Sequence, residues 1–206
     1  MSVTRFFIIA AIAGSMLAGC SKNNDGPDPS ETTDTGVVIK GITWATRNVD
    51  APGKFAKNEQ SPGMLYQWNR KTGWSAVSTA VTGWNSNPDL SPEWESANDP
   101  CPDGWRLPTK EEFDKLCEAE YVWTSVHNIW GGRFVEGDNT IFLPAAGYRT
   151  GDSGFLSSSG SYGDYYSSTP YDYDDRTAFV LSFTSGDWGV GTYSKETGRC
   201  IRCIKE

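Results

Sequence analysis

Histidine is almost absent from this sequence, since His127 is the only one among 206 residues. Catalysis by a histidine base and metal binding through imidazole ligands are therefore largely excluded. Positive charge is also scarce, because 18 Lys and Arg residues stand against 26 Asp and Glu residues, a formal net charge of −8. A chain this acidic has no electrostatic attraction for nucleic acid or for an anionic bilayer surface. We expect no nucleic-acid partner.

The only long apolar run extends from Phe6 to Leu17 and follows the basic residue Arg5. A short basic start, an apolar stretch and a small-residue exit are typical of a secretory signal peptide, here residues 1–19. The end of this segment, Leu17-Ala18-Gly19-Cys20, resembles the lipobox of bacterial lipoproteins. An ordinary signal peptide with a chance cysteine is the alternative.

The lipobox resemblance implies cleavage before Cys20 and attachment of diacylglyceryl and a further acyl chain, such as palmitate, to that residue. Several acyl chains on one residue give lasting anchorage in a membrane. We therefore predict a lipoprotein of the outer membrane in the cell envelope, facing either the periplasm or the cell surface.

Residues 21–36 contain no aliphatic or aromatic side chain, so we predict that 20–36 are a lipidated cysteine followed by a disordered tether. The composition changes at Val37, and residues 37–206 are long enough for a single domain with a substantial core.

Short strands, separated by turn-forming residues, dominate the predicted domain. Lys40-Gly41 predicts a turn between strands 37–39 and 42–45. Thr109 and Glu112 form a capping-box sequence that predicts a helix start. The predicted helix has an apolar face of four residues: Phe113, Leu116, Cys117 and Tyr121.

Further strands are predicted at 133–135, 141–143, 165–167, 177–183, 188–193 and 199–204. Strand 177–183 alternates, with Phe179, Leu181 and Phe183 on one face. The last three strands would form a terminal meander. We predict an α+β fold of mainly antiparallel short strands, with one or two helices and long loops at 84–104 and 147–164.

Six segments carry a family resemblance: 41–49, 63–68, 101–109, 143–149, 166–169 and 201–203, which are GITWATRNV, GMLYQW, CPDGWRLPT, LPAAGYR, YSST and IRC. In this order they resemble the Fibrobacter succinogenes major paralogous domain family of secreted and lipid-anchored bacterial proteins. The resemblance implies a C-type-lectin-like fold, distantly similar to that of formylglycine-generating enzymes, whose first and last strands meet. It implies no particular activity.

Four cysteines follow Cys20: Cys101, Cys117, Cys200 and Cys203. An even number in an exported chain suggests two disulfides, with three possible pairings. The family resemblance implies Cys101–Cys203, which leaves Cys117–Cys200, whereas a C-type-lectin analogy would join Cys117 to Cys203. Cys200 and Cys203 point to opposite faces of their predicted strand and should not bond each other. Because no helix follows them, we predict a structural role and no redox activity.

Aromatic side chains in the predicted loops are the candidate ligand contacts. Sugar rings present apolar C–H faces, so an exposed indole or phenol beside polar groups suits a glycan, although packing in the core is the ordinary role of such rings. The candidate residues are Trp84, Trp94, Trp130, Tyr171 and Asp172. We predict no catalytic residue, no metal ligand and no cofactor. Calcium is considered because oxygen-bearing side chains cluster at 172–175 and at 136–139, although neither segment matches an EF-hand loop.

These observations favour a lipid-anchored cell-envelope module that binds glycan or protein through aromatic loops and is not an enzyme. The alternative is a structural component of a surface assembly without a soluble ligand. A third hypothesis, drawn from the fold resemblance alone, is an enzyme of the formylglycine-generating kind.

Overall fold

The computed structural model describes residues 33–206. The predicted signal peptide 1–19, Cys20 and the predicted tether as far as residue 32 lie outside the described residues. The described chain contains one α-helix, α1 (Lys110–Cys117), and a short 3-10 turn at Ser96–Asn98.

The strands of the described chain are β1 (Val37–Ile39), β2 (Ile42–Trp44), β3 (Met64–Tyr66), β4 (Gly73–Ser75), β5 (Trp105–Arg106), β6 (Glu120–Val126), β7 (Ile129–Glu136), β8 (Asn139–Pro144), β9 (Tyr148–Arg149), β10 (Leu156–Ser157), β11 (Gly163–Pro170), β12 (Thr177–Phe183), β13 (Trp188–Ser194) and β14 (Ile204–Lys205). They form small sheets whose paired strands are antiparallel. The predicted α+β class is confirmed at this level.

The two ends of the domain meet in a four-stranded sheet of order β1-β2-β14-β5. The predicted opening hairpin is present, with Lys40 and Gly41 at φ 52° and 75° in its turn. Two consecutive positive φ angles match the right-handed twist of the paired strands. Ile204 of β14 pairs with Trp44 on one side and with Arg106 on the other.

The sheet of β11, β12 and β13 separates two hydrophobic clusters. Leu181 and Phe183 pack in one cluster, whereas Ala178 and Val180 pack in the other. Strand β12, which is predicted from its alternation, is therefore buried on both faces. Both faces are buried because other elements cover each side of this sheet.

The predicted terminal meander is also wrong, because β11 and not segment 199–204 completes the sheet with β12 and β13. Only Ile204–Lys205 is a regular strand there. Arg199 forms an isolated bridge with Tyr66, and Cys200 forms one with Tyr165. The chain crosses between sheets at this point, so no single neighbour pairs with it throughout.

The capping box of α1 is confirmed, since Thr109 accepts a hydrogen bond from the Glu112 amide and Glu112 accepts one from the Thr109 amide. Burial opposes ionisation of Glu112, but hydrogen bonds from Arg106 and Thr109 lower its pKa overall. Tyr121 does not extend the apolar helix face as predicted. It lies in β6, opposite Phe134, because the helix ends at Cys117.

The end of the predicted tether packs on the domain. The Asp34 carboxylate is buried and accepts hydrogen bonds from the amides of Gly36 and Thr46, at 2.8 Å and 3.0 Å. Arg47 donates to the same carboxylate at 3.3 Å and also to the Thr33 carbonyl. Residues 33–36 therefore belong to the folded unit, and the prediction of a solvated tether through residue 36 is wrong for them. Composition could not reveal this, because the contacts are polar.

The disulfide Cys101–Cys203 is present and joins the loop before β5 to the segment before β14. The predicted bond Cys117–Cys200 is not formed, because both residues carry free thiols. Cys200 is fully buried, with its sulfur 3.7 Å from the Pro62 carbonyl oxygen, whereas Cys117 is half-buried at the end of α1. The alternative bond Cys117–Cys203 is excluded because Cys203 is bonded to Cys101.

Candidate binding site

Trp94, one of the predicted ligand contacts, is a core residue that is only 9% exposed. Its ring packs against Trp68 and Tyr166, with ring centroids 5.2 Å and 5.7 Å away. Its indole nitrogen donates to the Asn98 carbonyl at 3.1 Å. Trp94 therefore anchors loop 84–104 and presents little surface to a ligand.

Trp84 anchors the same loop at its other end. Its indole nitrogen donates to the Gly151 carbonyl at 2.9 Å, and its ring lies 5.2 Å from that of Trp74. Glycine is required beneath the ring, because a Cβ atom at Gly154 would lie 2.6 Å from it. These contacts commit the half-buried Trp84 to holding two loops together.

Trp130 is the predicted contact whose ring is available to a ligand, since 48% of its surface is exposed. It lies next to the tip of the hairpin formed by β6 and β7, where His127 and Asn128 adopt φ angles of 48° and 66°. Trp123 of the adjacent strand lies nearly parallel to it, with an interplanar angle of 7° and a centroid distance of 6.0 Å. The partner Trp123 was not among the sequence candidates.

A second stacked pair lies on the same face of β6 as Trp123, and Tyr121 and Trp123 are both half-buried against the core. Tyr121 and Trp123 alternate along β6 and so share one face of the sheet. Tyr121 stacks on Trp188 of β13 with a centroid distance of 4.5 Å, and Trp188 is 41% exposed. We name these four residues the aromatic strip: Tyr121, Trp123, Trp130 and Trp188.

Gly132 provides the space that the aromatic strip needs. It pairs with Trp123 across the hairpin. A Cβ atom at this position would lie 2.7 Å from the Tyr121 ring and 3.1 Å from the Phe183 ring. A larger residue would therefore displace the rings, which explains why the sequence places glycine directly after Trp130 and Gly131.

A groove of about 170 Å³ lies beside Trp130. Its walls are mainly apolar, with Val77, Ile129 and Ala145 among them, and its polar groups are Asn128 and Ser159. Both polar residues are exposed, as is Ser125, which pairs with Trp130 across the hairpin. Amide and hydroxyl groups both donate and accept hydrogen bonds. The exposed end of the aromatic strip thus combines an apolar ring face with polar groups.

Tyr171 and Asp172 lie in the turn that connects β11 to β12. Tyr171 is half-buried and packs edge-on against Phe179 at 5.5 Å, whereas Asp172 is exposed. Among residues 33–206, no group of three or more His, Cys, Asp or Glu side chains is arranged to hold a metal ion.

A cleft of about 730 Å³ lies next to the disulfide, and two of its charged groups, Asp99 and Arg106, have partners within the protein. The Asp99 carboxylate accepts hydrogen bonds from the amides of Cys101 and Leu107, at 2.8 Å and 3.1 Å. Burial nevertheless raises the pKa of Asp99. Arg106 donates to both oxygens of Glu112, at 2.9 Å and 2.8 Å. Lys71, Asp103 and Glu206 also line this cleft and are exposed, so its open groups are charged, unlike the apolar ring and neutral polar groups beside Trp130.

The free thiols of Cys117 and Cys200 lie in surroundings that disfavour the thiolate. Burial raises the pKa of Cys117 and of Cys200 to about 12, so both groups are protonated at neutral pH. Thiol chemistry requires the thiolate form.

Comparisons of the chain with protein-family models, with curated proteins and with solved structures find no match. Within the described range 33–206, no helix has the length and apolar character needed to cross a bilayer.

Proposed function

We propose that this protein is a lipid-anchored binding module of the bacterial outer membrane, with a C-type-lectin-like domain that recognises glycan through the aromatic strip. The observation that carries the proposal is the exposed Trp130 ring, held parallel to Trp123 beside open amide and hydroxyl groups. The N-terminal lipobox resemblance supports the anchor, and the family resemblance supports the fold.

Glycan is favoured over other ligands because the site complements both the apolar C–H face and the hydroxyl groups of a sugar. The C–H face of a pyranose packs on an indole ring, while its hydroxyls exchange hydrogen bonds with amides and hydroxyls such as those of Asn128 and Ser159. The net charge of −8 disfavours nucleic acid and other polyanions. The protonated thiols of Cys117 and Cys200 support a binding role over thiol-based oxidation.

We expect Trp130→Ala to weaken glycan binding at least about tenfold, a loss of about 1.4 kcal/mol. Truncation of a tryptophan often causes the largest loss of binding free energy at an interface. The ligand is first selected on a glycan array, and its affinity is then measured by titration calorimetry. The mutation should leave folding intact, since the ring is half exposed.

The matched control is Tyr173→Ala, which removes an aromatic ring that is 89% exposed and lies outside the aromatic strip. It should bind glycan with unchanged affinity. Failure of the protein to bind any glycan, or an equal loss in both variants, would contradict the proposal.

A role in a surface assembly is the alternative, and the apolar groove beside Trp130 favours it. Val77 and Ile129 are exposed in this groove and suit an apolar side chain of a partner protein. Crosslinking in cells that captures one stoichiometric envelope protein, with capture lost in Val77→Asp, would support this function in place of glycan binding.

A further inference from the structure

The aromatic strip is longer than a single sugar requires. Its two stacked pairs have centroid separations of 6.0 Å and 4.5 Å. Two residues along a strand add about 6.7 Å between Tyr121 and Trp123. The four rings therefore form two stacked pairs that are separated by this step along β6.

A groove continues from Trp188 along the face of β13. It has a volume of about 210 Å³ and is lined at its other end by Tyr162 and Tyr193, whose hydroxyl oxygens lie 3.2 Å apart. A hydrogen bond with Tyr193, together with burial, raises the pKa of Tyr162 to about 12. The two phenols share one hydrogen bond, which leaves the second O–H group for a ligand.

The middle of this groove is kept open by Gly189 and Gly191. A Cβ atom at Gly189 would meet no atom within 4 Å, so a side chain there would project into free space. A glycine within a strand has no side chain to pack against its neighbours. It commonly marks a place where a ligand or another backbone approaches closely.

The charge of the surface restricts the ligand further. Of the side chains that line the groove along β13, Asp187 is the charged one, and it is exposed and acidic. Together with the net charge of −8, this group repels uronic acids, phosphates and sulfates. The complementary ligand is uncharged.

From these features we infer that the ligand is an extended, uncharged polysaccharide chain that lies along the aromatic strip from Trp130 to Trp188 and continues into the groove of β13. The inference rests on the proposed function and specifies its ligand. Consecutive sugar units occupy consecutive contacts, so affinity grows with chain length. Hydroxyl groups of the far units meet the phenols of Tyr162 and Tyr193.

The test measures affinities of the full-length protein for neutral gluco-, manno- and xylo-oligosaccharides of one to six units and for a hexameric oligogalacturonate. We expect affinity for one neutral series to rise at least about tenfold from the dimer to the hexamer. The oligogalacturonate should bind more weakly than any neutral hexamer of that series.

Gly189→Leu places a side chain in the groove without removing any contact, so it should weaken hexamer binding about tenfold and leave dimer binding unchanged. Gly186→Leu is the matched control, because it also projects into open space but does not line the groove. Trp188→Ala should reproduce the loss seen with Gly189→Leu. Thermal unfolding confirms that each variant is folded.

This inference would be overturned, and the proposed function left standing, if affinity depended on Trp130 but did not rise with chain length. The same holds if Gly189→Leu left hexamer binding unchanged. Tighter binding of the oligogalacturonate would also overturn it. Absence of binding to every oligosaccharide and to the glycan array would instead contradict the proposed function.

Discussion

Replacing Cys101 and Cys203 together by serine is expected to lower the free energy of unfolding by about 2–5 kcal/mol. The two cysteines are 102 residues apart in the sequence. In the chain-entropy account, opening a loop of about 100 residues increases the entropy of the unfolded chain by an amount worth about 4.7 kcal/mol. The bond also links the segments before β5 and β14, which are neighbours in the four-stranded sheet. Chemical denaturation with and without reductant measures the effect.

The matched control for the disulfide is Cys117→Ser, which alters a half-buried thiol that has no covalent partner. We expect it to cost about 1 kcal/mol or less. Thiol counting gives an independent check: besides Cys20, two thiols should react in denaturant without reductant, and four after reduction. Reaction of all four without reductant, or of none, would show that the pairing described here is wrong.

Asp164→Ala is expected to lower the free energy of unfolding by about 3–5 kcal/mol, because it leaves the Arg199 guanidinium buried without its anion. The two side chains are only 1% and 3% exposed and form a direct ion pair. Asp164 also accepts a hydrogen bond from Ser182 at 2.6 Å. The Arg199 guanidinium lies over the Tyr193 ring at 4.6 Å, so a misplaced arginine would disturb the wall of the β13 groove as well.

Removing both charges tests whether the loss comes from the unpaired ion. Asp164→Leu with Arg199→Met should be less destabilising than Asp164→Ala alone, because apolar residues can replace a buried ion pair at little cost. The control is Arg176→Ala, which breaks an exposed ion pair with Glu196 and should cost less than about 1 kcal/mol. Equal losses at the buried and exposed pairs would contradict this account.

Local signals predicted local structure well. The sequence Thr-x-x-Glu at residues 109–112 predicted the start of α1, because the capping box satisfies backbone donors within four residues. Lys40-Gly41 predicted the first hairpin, because a tight turn requires particular backbone angles at these two adjacent residues. Strand β6 was missed, because Tyr121 and its neighbours fit a helical pattern until the end of α1 is known.

Long-range pairing was harder to predict. The family resemblance implied Cys101–Cys203, which is correct. The even number of cysteines then suggested a second bond, Cys117–Cys200, which the structure lacks. Nothing in the local sequence of Cys200 shows that it lies under Pro62, 138 residues away. The same holds for Asp34, whose burial depends on Thr46 and Arg47 and not on apolar neighbours.

The candidate site shows the same division. Loop composition selected Trp84, Trp94 and Trp130, yet two of these rings hold loops together through carbonyl hydrogen bonds. Trp188 lies in a predicted strand, where a ring usually faces the core, so it is predicted to have no binding role. Trp123 is not among the candidates, because strand β6 is not predicted from the sequence. Tyr121 and Trp123 are half-buried against the core, and only Trp130 and Trp188 are exposed. Their arrangement depends on the register of β6 and β7, which places Gly132 opposite Trp123.

The central claim, that the aromatic strip binds glycan, is tested most directly by following the indole N–H signals of the nine tryptophans during glycan titration by nuclear magnetic resonance. The probe is the neutral oligosaccharide that binds most tightly on the array. We predict that the signals of Trp123, Trp130 and Trp188 shift with saturable dependence on concentration, while those of the buried Trp44, Trp68 and Trp94 do not. Saturable binding that leaves the three strip signals in place would contradict the account.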